Sequence, residues 1–198
     1  MFTNKTHKQA DEALKKGNFE KSIELYSKAL KESPYECNIL SDRGVAYLHA
    51  KQKDKSLADF DRAVELQPDY SYRYASRAFA RNNFGDIDGA ILDYEKAVGL
   101  DPEDAVGQNN LGLLLEQKGY QKEADDRFKR ADSLSEMEDE LLDVIDDLEE
   151  NHNLNIDFKK NEVREEKTST KSEFKKVFTS IIQFKEFMTF LKNGFRIK

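Results

Sequence analysis

The chain has 198 residues, 36% of them charged, a formal net charge of −7 and one cysteine. A single cysteine, Cys37, excludes an internal disulfide and fits a reducing compartment. There is no N-terminal apolar run of the kind a signal peptide needs, and no apolar stretch of roughly 18 residues that would span a membrane. The expectation is a cytoplasmic, all-helical protein.

In chain order, the first signal is a period. Pro34, Pro68 and Pro102, the only prolines, stand 34 residues apart, and the blocks 3–36, 37–70, 71–104 and 105–138 repeat in register. A period of this length means stacked helical hairpins. The first half of each block carries a small residue where two helices would cross: Ala10, Gly44, Ala78 and Gly112. Gly17, Gly85 and Gly119 then suit a left-handed residue that ends a helix, with Lys51 as the exception. The second half repeats a small residue, an aromatic and an alanine at spacings of four and three, which place them on one face: Ser22/Tyr26/Ala29, Ser56/Phe60/Ala63, Ala90/Tyr94/Ala97 and Ala124/Phe128/Ala131. Each ring fills the space between helices, where burial is worth about 2 kcal/mol. Each proline stops the second helix, because it lacks an N–H and clashes with the preceding turn.

On these residues the chain resembles the tetratricopeptide repeat family over 3–138. The best matches run from Gly17-Asn18-Phe19 through Ala29-Leu30 to Pro34, and from Gly85-Asp86-Ile87 through Tyr94, Ala97 and Val98 to Pro102. The resemblance implies an all-α fold, a right-handed superhelical solenoid of hairpins whose inner surface binds other proteins. The fourth block departs from it: Glu136 replaces the proline, and Asp125 and Asp132 replace apolar residues, as in a terminal repeat. The family's tryptophan is absent, and Leu40 and Tyr74 take that slot.

The resemblance also names the groove. Its candidate residues are His7, Asp11, Asn38, Asp42, Val45, Tyr72, Ser76, Phe79, Asn82, Asn109 and Asn110, with Leu14, Ser41, Leu48, Ala75, Val106, Leu113 and Glu116 on the same face. Co-chaperones of the family clamp an acidic C-terminus with Lys, Asn, Asn, Lys and Arg. The matching positions here are His7, Asp11, Asp42, Tyr72 and Ser76, which leave no fixed cation and place carboxylates where amides belong. The expected ligand is therefore basic or apolar rather than acidic. Alternatively the two aspartates are solvated or paired with Lys8, Lys15 or Arg43, and Arg73, Arg77 and Arg81 reverse the local sign.

Beyond the repeats, Leu141, Leu142, Val144, Ile145 and Leu148 give residues 138–150 one apolar face under an acidic one, as in a capping helix. Residues 151–170 lose the period and read as a linker. Residues 167–198 carry eight basic and two acidic side chains, and within them residues 171–198 combine lysines with Phe174, Phe178, Ile181, Phe184, Phe187, Met188 and Leu191. A basic helix with so wide an apolar stripe needs a cover. Three are open: the chain's own repeats, a second copy or another protein, and an anionic membrane surface. The last makes a peripheral membrane adaptor the alternative to a peptide-binding one.

Chemistry has little to stand on. His7, His49 and His152 are far apart and lack cysteine neighbours, so zinc spacing is absent, and no glycine-rich phosphate loop follows a strand. Residues 1–131 are slightly acidic, a poor phosphate track. The reading is a non-enzymatic adaptor without cofactor or metal, with a protein or peptide partner and no nucleic acid.

Overall fold

The computed structural model describes residues 4–151, and among them the chain is helical with no strand. Eight helices follow one another: α1 (Lys5–Lys15), α2 (Phe19–Glu32), α3 (Cys37–His49), α4 (Lys53–Leu66), α5 (Ser71–Asn83), α6 (Ile87–Leu100), α7 (Ala105–Gln117) and α8 (Gln121–Asn151). They pair as hairpins with the 34-residue period. The described residues fall into two units, divided after Lys129.

The helix ends follow from local chemistry. Asn4, Asn18, Asp86 and Asp104 accept from the backbone N–H three residues on, which satisfies donors the first turn leaves open. Within each hairpin the chain turns through a left-handed residue: Gly17 at φ 73°, Gly85 at 82° and Gly119 at 86°. Lys51 takes the same conformation at φ 59°, so the departure from glycine changes the residue and not the turn. α2, α4 and α6 stop at Glu32, Leu66 and Leu100, two residues before Pro34, Pro68 and Pro102.

The fourth hairpin corrects one expectation. Residues 138–150 are not a separate capping helix but the C-terminal part of α8, which runs unbroken for 31 residues. The cause is the missing proline: with Glu136 in its place, and no glycine or proline down to Asn151, nothing ends the helix. The linker 151–170, from its second residue, and the segment 171–198 lie outside the described residues.

The crossing positions behave as their size requires. Ala10 and Ala78 are fully buried. A Cβ at Gly44 would come within 2.9 Å of the Phe60 ring, and one at Gly112 within 2.6 Å of Phe128. Two arginines then stitch the hairpins together. Arg43 forks onto Asp59 of its own hairpin, with both N–H···O distances 2.7 Å, and donates to Ser27 of the hairpin before it. Arg77 repeats this 34 residues later, forking onto Asp93 and reaching Asp61 at 2.8 Å. Asp59 and Asp93 are buried, and each carboxylate raises the basicity of its arginine through these bonds.

Candidate peptide-binding groove

The first helix of each hairpin (α1, α3, α5 and α7) carries the predicted groove residues, and the structure sorts them into two chemically distinct parts. At α1 and α3, His7 is 2% exposed and its Nε2 lies 2.7 Å from Oδ2 of Asp42, a carboxylate still 41% exposed. The Tyr26 ring meets His7 edge-on at 5.9 Å between centroids. Tyr26 itself is fully buried, and its hydroxyl has no hydrogen-bond partner among the described residues. Burial pushes the Tyr26 hydroxyl's pKa up, and the charges of Asp42 and Asp11 push it further. Asp42 is raised as well, first by burial and to a lesser degree by Asp11, while the bond to His7 opposes the shift. Asp11 pairs with Lys15 at 2.8 Å on the surface of its own helix.

At α5 and α7 the face is apolar. Tyr72 is 56% exposed, Phe79 50%, Val106 69% and Leu113 50%. Val106 lies 34 residues after Tyr72, and Leu113 34 after Phe79, so two repeat positions present large apolar side chains to solvent in both hairpins. Val45, one repeat before Phe79, is half-buried, as are Ser76 and Asn82, whereas Asn109 is exposed. Asn110 hydrogen-bonds the Tyr94 hydroxyl, whose pKa burial pushes up to about 12.

The arginines near this face are engaged. Arg73 is buried and donates to Gln67 at 2.7 Å, Ser41 at 3.0 Å and Asn38 at 2.7 Å, so Asn38 is a structural acceptor between α3 and α5. Arg81 reaches Asp93 at 2.9 Å and the Gly89 carbonyl at 3.2 Å. The expectation that Arg43 pairs with Asp42 is corrected, since its fork goes to Asp59. Sequence reasoning missed the Arg43–Asp59 and Arg77–Asp93 pairs, although both members recur at the 34-residue period. It took Tyr26 only as a core ring, and no pattern marks its hydroxyl.

Two family models match, one described as tetratricopeptide repeat over residues 7–71 and one as TPR repeat over 84–119. The chain belongs to the tetratricopeptide repeat family. Human serine/threonine-protein phosphatase 5 is 26% identical over 189 residues, covering 91% of this chain and 38% of that protein. BBSome complex member BBS4 of Bos taurus is 36% identical over 108 residues, 54% of this chain and 20% of its own length. The tetratricopeptide chain thus spans well under half of these curated relatives. Among solved structures, MamA from Desulfovibrio magneticus RS-1 aligns with a TM-score of 0.60 at 22% identity, over 66% of this chain and 74% of that one, a likeness of fold. The first TPR domain of Spaghetti (RPAP3), bound to the HSP90 peptide SRMEEVD, aligns at 0.52 and 25% identity, over 57% of this chain and 89% of that one. Tetratricopeptide repeats are protein-interaction modules, and no described helix is long and apolar enough to cross a membrane.

Proposed function

We propose that this chain is a non-enzymatic, cytoplasmic adaptor whose A-helix face captures a peptide or helix that is apolar and basic rather than acidic. One observation carries the reading: Tyr72, Phe79, Val106 and Leu113 stand half or more exposed at equivalent positions of two hairpins. A single exposed hydrophobe is ordinary, but four in repeat register form a surface that gains from being covered. The sign of the charge follows from the side chains that replace the family's clamp. His7, Asp11, Asp42, Tyr72 and Ser76 offer an acidic C-terminus no fixed cation, and Arg73 and Arg77 are already forked onto Asn38, Ser41, Asp61 and Asp93.

Residues 171–198 have the composition such a face accepts, with phenylalanines and lysines interleaved. A groove that recognises them is regulated by them, since any partner must compete. The test is a fluorescence-anisotropy titration of a synthetic 171–198 peptide against the full chain and its Phe79→Asp/Leu113→Asp variant. Saturable binding that the variant weakens about tenfold or more supports the reading. Binding that ignores the variant overturns it, as does a peptide that partitions onto anionic vesicles and leaves the protein alone.

A further inference from the structure

The exposed apolar side chains of the A-helix face carry a spacing as well as a chemistry. Tyr72 and Phe79 on α5, and Val106 and Leu113 on α7, stand seven residues apart and are half or more exposed. Seven residues are two helical turns, about 10.5 Å along the axis. A ligand that covers both members of a pair must match that interval. An extended strand returns to one face every second residue, at about 6.7 or 13.4 Å, and misses it by roughly 3–4 Å either way. A polyproline II segment comes near it, at about 9.3 Å for three residues, but residues 171–198 hold no proline to favour that form. A helix returns to one face every seven residues and fits. Residues 171–198 repeat at this interval too. Phe174, Val177, Ile181, Phe184, Met188 and Leu191 alternate spacings of three and four, which makes two rows with steps of seven: Phe174/Ile181/Met188 and Val177/Phe184/Leu191. Lys175, Lys176, Lys185 and Lys192 fall outside both rows. This is a heptad seam, but from Phe174 to Leu191 it falls short of the three to four heptads, roughly, that sustain a coiled coil. So short a seam needs a surface that is already folded, and α5 and α7 present one at the same interval.

We propose that residues 174–191 bind as a helix along the A-helix face of their own chain, one row of the seam against Tyr72 and Phe79 and the other against Val106 and Leu113. The proposal rests on the groove reading and deepens it: it names the conformation and register of the occupant, and it makes the resting chain self-occluded. Chain length permits the return. At 1.5 Å per residue α8 is about 46 Å long. Residues 152–173, between its end and the seam, reach up to about 75 Å, so the segment can come back to the hairpin where α8 begins, whichever way that helix points. Tethering also favours this occupant over a second copy. A segment on the same chain acts at an effective concentration on the order of millimolar, which free protein does not reach in dilute solution.

The experiment titrates a fluorescein-labelled 171–198 peptide into the full chain and into three full-length variants of the chain's own C-terminal segment, following anisotropy. Ile181→Asp/Phe184→Asp breaks the seam. Ile182→Asp/Phe190→Asp puts the same charges on apolar residues outside it, and Gln183→Pro breaks a helix without touching an apolar side chain. Self-occlusion predicts that the seam and proline variants, their groove vacated, bind the added peptide about tenfold more tightly than the wild-type chain, and that the off-seam variant stays within about twofold of it. Labelled peptides with the same substitutions should rank in reverse, the seam and proline peptides losing affinity and the off-seam peptide keeping it. Equal tightening by the seam and off-seam variants, or a proline variant that stays occluded, overturns the helical register. One affinity for the wild type and all three variants overturns occupancy by the chain's own segment; the groove reading still stands if Phe79→Asp/Leu113→Asp abolishes that binding. A peptide that binds none of the chains overturns both readings. A wild-type chain at twice 22.9 kDa by light scattering, returned to 22.9 kDa by the seam variant, gives the face to a second copy and overturns the proposal. So does seam-dependent sedimentation with phosphatidylserine vesicles at an unchanged groove affinity, which gives the seam to a membrane.

Discussion

The first and last hairpins place different chemistry at the same repeat positions. One position reads Asn4, Asn38, Tyr72 and Val106 along the chain, and another reads Asp11, Val45, Phe79 and Leu113. The backbone is common to all four, with the same left-handed turns and matching small residues at the crossings. What changes is the side chain, from amides at Asn4 and Asn38 to Tyr72 and Val106 at one position, and from the carboxylate of Asp11 through the half-buried Val45 to the exposed Phe79 and Leu113 at the other. A repeat fold separates its two tasks in this way: buried positions hold the stack and stay periodic, whereas exposed ones are free to differ and so give one face two ends.

The comparison is broken most forcefully by attacking what the two halves share. Arg43→Ala should cost about 3–5 kcal/mol in urea denaturation, because it leaves the buried Asp59 without its forked partner, and Arg77→Ala about 1–3 kcal/mol, because Asp93 keeps its bond to Arg81. Clear losses at both would show that the two halves stand on one frame, and a loss at only one would show that they do not. Gly44→Ala should cost about 1–3 kcal/mol, as its Cβ would lie 2.9 Å from the Phe60 ring, less what alanine returns in helix propensity. Lys51→Gly should raise stability by about 1 kcal/mol, since among the described residues Lys51 alone holds a side chain at a positive φ. Tyr26→Phe should gain about 1 kcal/mol in the unliganded chain by removing the unpartnered hydroxyl, and a loss there would mean that the hydroxyl is satisfied. Smallest in stability, within about 0.5 kcal/mol, should be Phe79→Asp/Leu113→Asp, whose effect belongs to binding.

The fold was legible in the sequence because a period repeats its own evidence: three prolines, four crossing residues and four aromatic trios state the hairpin several times over. The continuous α8 was not, because a helix stop is easy to read when proline is present, whereas its absence at Glu136 gave no boundary at all. The candidate groove was legible only as a face. That Tyr72 and Phe79 are exposed follows from the register, but that His7 is buried against Asp42 depends on two helices 35 residues apart in sequence meeting at one point. The Arg43 and Arg77 forks lay within reach, since Arg and Asp both recur after 34 residues. A charged pair at a fixed offset looks like a solvated surface until burial is known.

The most direct test sets two peptides against the full chain at equal, low ionic strength: SRMEEVD, which the RPAP3 domain holds, and the 171–198 peptide. The account predicts saturable binding of the basic, phenylalanine-rich peptide, lost in Phe79→Asp/Leu113→Asp, and no saturable binding of SRMEEVD. Tight binding of SRMEEVD, with the basic peptide ignored, would contradict it.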